Sequence, residues 1–149
     1  MDLVASQLIA TPGYTGLGVT TQTFTAQVVN VGDTSTTLNP ATDTLLQFVV
    51  FANSGGFSVG AAAFSNPAFA PLCTTATVPA AAPFTVVTVT CKGNLGPSQG
   101  LTITLPLTNV TGELVSYVQA DPTDLITNTT TPPEFREDNN LVVTTVVHF

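Results

Sequence analysis

The sequence predicts an all-β protein, an antiparallel sandwich of about seven or eight strands built as one domain. Three observations predict it. Charged residues are only 7% of the chain, where an average soluble domain has about 25%, and threonine, with 28 copies, takes over much of the surface. Threonine is β-branched and polar, which suits the wet face of a sheet. Apolar residues recur every second position in several stretches, and no segment shows a sustained 3.6-residue period. At 149 residues the chain is long enough to bury a sizeable core.

Residues 3–10, "LVASQLIA", form a first strand, and Pro12-Gly13 reads as the turn that ends it. Residues 19–32 form a long strand in which Phe24, Ala26 and Val28 alternate with Thr23, Thr25 and Gln27, one face buried and one wet. Residues 33–43 are a loop. "TLLQFVVF", 44–51, is apolar on both faces and is expected at the centre of a sheet. Residues 52–83, rich in Gly, Ala, Pro and Phe, read as an irregular insertion with a short strand near 57–63. Strands follow at 84–91, 101–110 and 113–120, the second alternating on Leu101, Ile103, Leu105 and Leu107, with Gly112 as the break before the third. A long polar loop over 121–139 leads into a last strand, "LVVTTVVHF". There is no internal repeat.

The charge balance excludes partners. With net charge −7, one lysine and one arginine, the chain cannot neutralise a row of phosphates, so nucleic acid and anionic membrane surfaces are not expected partners. The region 45–64 is long enough for a membrane helix, but Gln47, Asn53, Ser54 and Gly55-Gly56 interrupt it, and a buried strand followed by a Gly-rich loop is expected instead. The start, "MDLVASQLIATPG", has no basic segment or sustained apolar run of a secretion signal.

Cys73 and Cys91 are the only cysteines. A matched pair in a Thr-rich, Lys-poor chain points to a disulfide and an oxidising, extracellular setting, with two buried free thiols as the alternative.

Several local patterns resemble a known family. "FTAQVVNVGDTS" carries Asn30-x-Gly32 at the end of an early strand. "TVTCKGNLGPSQGLTITLPL" has a strand ending in Cys91, a Leu-x-Pro-x-x-Gly-like turn and an alternating strand. "VQADPTDLI…EFREDNNLVVTTVV" enters Asp-Pro and then an acidic Glu-x-x-Glu-x-Asn-Asn run before the last strand. Together these resemble the cell-adhesion-related domain (CARDB) of bacterial and archaeal surface proteins, and the similar repeats of large surface adhesins. The likeness covers residues 1–51 and 84–149. It implies an immunoglobulin-like β-sandwich and a role in adhesion or spacing outside the cell, without catalysis.

Few residues offer chemistry. "GFSVG", 56–60, matches the nucleophile-elbow pattern around Ser58, with acids and His148 later in the chain, but that motif needs a strand–turn–helix and no helix is predicted. His148 is the only histidine and reads as a strand-end residue. Lys92 is the only lysine; surface adhesins can cross-link Lys to Asn from buried strands, whereas Lys92 falls in a predicted turn. Asp121, Asp124, Glu134, Glu137 and Asp138 flank the long loop. They read as a solvated turn, with calcium as the alternative occupant, although their spacing matches no defined calcium loop. No other cofactor is implied. Asn109-Val110-Thr111 and Asn128-Thr129-Thr130 fit the glycosylation sequon, which matters only in a secretory host.

The expected function is therefore a non-catalytic structural or adhesive module on an exterior surface, within an assembly of copies of itself or other subunits. A charge-poor chain can hardly guard its sheet edges, and Phe57, Phe64 and Phe69 are the expected self-association surface, if the core does not take them. A virion decoration or fibre protein is the alternative: the disulfide favours a cell surface, and a chain starting at Met1 favours a virion. A carbohydrate- or calcium-binding module is the second alternative, although for sugars tryptophan is absent and Tyr14 and Tyr117 are far apart in sequence.

Overall fold

The computed structural model describes residues 3–15, 18–39, 41–52, 55–78, 86–121 and 141–148. The strands are β1 (Leu3–Thr15), β2 (Gly18–Asn30), β3 (Leu46–Ala52), β4 (Gly56–Val59), β5 (Ala63–Phe64), β6 (Cys73–Val78), β7 (Val86–Cys91), β8 (Gly100–Ala120) and β9 (Leu141–His148); a 3₁₀ turn, Pro67–Leu72, leads into β6. Every strand pairing is antiparallel. The fold is all-β, as the composition and alternation predict.

The strands form two layers that share β8. Its first half pairs with β2, from Gly100 to Thr108, and its second half pairs with β3, from Leu114 to Ala120. The crossing lies between, where Asn109 (φ 52°) and Gly112 (φ 78°) adopt left-handed backbone. Asparagine and glycine are the residues that tolerate it. So Gly112 does not end a strand, as its sequence context predicts. It marks the place where one strand changes sheets.

One sheet is β1-β2-β8, with the short β4 and β5 on the far side of β8. The other runs β9-β8-β3-β7-β6. With the halves of β8 taken as E and F, the sheets are A-B-E and G-F-C, the strand arrangement of immunoglobulin-like sandwiches. The β7–β6 hairpin is added beyond C.

The alternating residues build the core. Phe24, Ala26 and Val28 from β2 and Leu101, Ile103, Leu105 and Leu107 from β8 meet Leu46, Phe48 and Val50 from β3 and Val87 and Val89 from β7. β3 is central, between β8 and β7, as its two-faced apolar sequence predicts.

Two further expectations are corrected. Pro12-Gly13 is not a turn: β1 continues through both, opposite Gln22 and Thr21. β1 is an edge strand, where a missing N–H can face away from the ladder and Pro is tolerated. Residues 52–83 are also more regular than expected, holding β4, β5, the 3₁₀ turn and β6.

Candidate functional site

Cys73 and Cys91 are bonded. They sit directly opposite each other on β6 and β7, with Cα atoms 4.0 Å apart. The bond ties the start of β6 to the core strand β7, on which Cys91 is fully buried.

Beside the disulfide, two loops are latched together by polar groups. Asn30 is buried at the end of β2; its Nδ2 donates to the carbonyls of Thr34 (2.8 Å) and Leu95 (3.1 Å), and its Oδ1 accepts from the Gly32 amide at 3.1 Å. Asn94 does the same from the other loop. Its Oδ1 accepts from the Leu38 amide and the Thr36 hydroxyl, and its Nδ2 donates to the Leu38 carbonyl at 2.7 Å. Thr36 and Leu95 exchange backbone and hydroxyl bonds. The Asn-x-Gly and Gly-Asn-Leu-Gly patterns are thus two halves of one structural lock.

The reactive candidates are dispersed. Ser58 lies exposed in β4, opposite Thr108, in extended chain rather than at a sharp strand-to-helix turn. Lys92 donates from Nζ to the Ala41 carbonyl at 3.1 Å, so its amine ties the loop before β3 to the end of β7. The backbone of His148 pairs with Gly112 at the end of β9. Of the acidic group, Asp121 is buried at the end of β8 with φ 45°, and its amide donates to the Leu45 carbonyl at 2.7 Å. Asp124, Glu134, Glu137, Asp138 and the second sequon, at Asn128, lie outside the described residues. Among the described residues, no three His, Cys, Asp or Glu side chains gather in a way that could hold a metal ion. Asn109, of the first sequon, is exposed at the bend of β8.

The phenylalanines turn toward the protein. Phe69, at 5% exposure, belongs to the core, and Phe57 and Phe64 are half-buried against it. The exposed large apolar residues among the described ones are Ile9, Val31, Leu141 and Val143, three of them on strands. In the five-stranded sheet the ladder registers align Val143, Tyr117, Val49, Thr88 and Ala76 in one row across the outer face. Val115, Phe51 and Val86 lie in the next. Val49 is buried yet stands apart from the core cluster, while Val143 is 57% exposed. Within the strands, Glu113 is the one charged residue that the register brings to this face among the described residues, and Lys92, one step past β7, follows Thr88 and Thr90 on the same side. The other sheet presents Thr21, Thr23, Thr25 and Gln27 beside Thr102, Thr104 and Thr108, with no charged residue in these registers among the described residues.

Sequence reasoning missed β6. Thr74, Thr75, Ala76 and Thr77 are exposed on both faces of the strand, so no burial pattern marks it in the sequence.

No protein-family model matches the chain, and no curated protein matches it. No helix among the described residues is long and apolar enough to cross a membrane. The chain is a disulfide-bonded antiparallel β-sandwich whose outer faces, among the described residues, are almost free of charge.

Proposed function

We propose that the protein is a non-catalytic structural module of an exterior assembly, a domain of a bacterial or archaeal surface protein or filament of the cell-adhesion-related type. One observation carries this reading. Among the described residues, both sheets present outer faces almost free of charge, on a chain of net charge −7. Soluble monomers ordinarily keep charge dispersed over the surface and at strand edges. A face kept neutral on an acidic chain is suited to being covered by another subunit. The disulfide fits an oxidising exterior, and the A-B-E/G-F-C strand order agrees with the immunoglobulin-like fold that the family resemblance implies.

Immunogold labelling of intact source cells, with an antibody raised against the folded chain, tests the reading. Label on the cell exterior or on attached filaments is the expected result. Label on released particles would support the virion alternative, and label confined to the cytoplasm would overturn both.

A further inference from the structure

We propose that β6 is the docking edge for a second copy of this chain, pairing with its own two-fold mate so that two five-stranded sheets become one. The inference rests on the assembly reading above and names the contact it uses.

The first observation is which backbone groups β6 leaves open. The Lys92 amide donates to the Leu72 carbonyl at 2.9 Å, so Leu72–Lys92 is a hydrogen-bonded pair of the β6–β7 ladder. Antiparallel pairs alternate between bonded and non-bonded. Cys73–Cys91, Thr75–Val89 and Thr77–Val87 are therefore non-bonded pairs, whose β6 N–H and C=O groups point away from β7. The β7 side agrees, because the Cys91 carbonyl turns away from β6 to accept from the Leu45 amide at 2.8 Å. Among the described residues β6 has no strand on its other side. Thr75 and Thr77 thus aim paired donors and acceptors outward.

The second observation is that this edge is unguarded where others are not. β1 carries Pro12 and two register shifts. β4 and β5 are two short pieces separated at residues 60–62. β9 lies against β1. β6 has no Pro, no charge and no register shift, and the disulfide holds it extended. Natural sheets protect such edges, because an open one templates pairing with another chain.

The third observation selects the occupant. Residues 74–78, "TTATV", can pair antiparallel with themselves about an axis at Ala76, with Thr75 facing Thr77 of the mate and Thr77 facing its Thr75. Each such pair exchanges both of its hydrogen bonds. The small Ala76 side chains meet at the axis, and Thr–Thr pairs are favourable cross-strand neighbours. Neither β6 nor β7 bears a charge, so two copies of a −7 chain can meet here without apposing like charges.

Sedimentation velocity over a hundredfold concentration range, on wild type and on Thr75→Pro, tests this. Proline at an edge position whose N–H points outward removes a docking donor and leaves the β6–β7 ladder whole. Wild type is expected to form a dimer or larger species, and Thr75→Pro to weaken association at least tenfold, with an intact disulfide by mass and an unchanged far-UV spectrum. Thr75→Lys/Thr77→Lys, which keeps every amide but crowds like charges at the axis, is expected to do the same if the proline variant misfolds. Val143→Lys, on the outer face and away from this edge, is expected to leave the two-fold dimer in place. If wild type assembles and both β6 variants assemble equally well, the edge is refuted while the assembly reading stands; loss only in Val143→Lys moves the contact to the outer face. A wild type that stays monomeric throughout overturns both.

Discussion

Asn30 and Leu95 are joined across the sequence: the Asn30 Nδ2 donates to the Leu95 carbonyl at 3.1 Å, in a buried position 65 residues away. This contact ties the end of β2 to the loop between β7 and β8. Asn30→Ala leaves the Gly32 amide and Thr34 carbonyl without their side-chain partner. A loss of about 2–3 kcal/mol in urea unfolding is expected, from more than one buried bond. Asn30→Asp should cost more at neutral pH, because it turns a carboxylate oxygen toward two carbonyls.

Replacing both cysteines by alanine removes the bond that closes an 18-residue step. The expected loss is about 3 kcal/mol, read as a lower denaturation midpoint against the oxidised protein. Amide exchange should accelerate chiefly in β6, the strand that the bond pins to the core.

Gly93 follows the disulfide with φ +105°, and a Cβ there would stand 3.0 Å from Leu72 Cδ1 and 3.2 Å from Phe69 Cε1. Gly93→Ala adds left-handed strain to that crowding. A loss of about 1–3 kcal/mol is expected in the same assay.

Phe69→Ala opens a cavity in the core and should lower stability by about 3–5 kcal/mol. Association measured under native conditions should stay unchanged. If association fell while stability did not, the ring would belong to a subunit contact after all.

Much of the fold was legible because its strands are half or fully buried. Phe24, Ala26 and Val28, and Leu101 to Leu107, alternate in sequence because one face of each strand meets the core. β3 reads as central because Val49 is covered even on its outer side. The failures have the same cause. β6 is wet on both faces, so Thr74 to Thr77 carry no period. Gly112 looks like a break because a sheet crossing and a turn need the same positive φ. Pro12 looks like a break because tolerance of proline depends on whether a neighbouring strand needs its amide, which is a tertiary fact. The Cys pair was legible by count; the phenylalanines were not, since composition cannot say which rings the core takes.

Amide hydrogen exchange of the wild type tests, residue by residue, whether copies meet along β6. At high concentration the Thr75 and Thr77 amides should be protected, and dilution should expose them, while Thr74 and Ala76, bonded to β7, remain protected throughout. Thr75 and Thr77 amides that exchange as fast at high concentration as at low would contradict it.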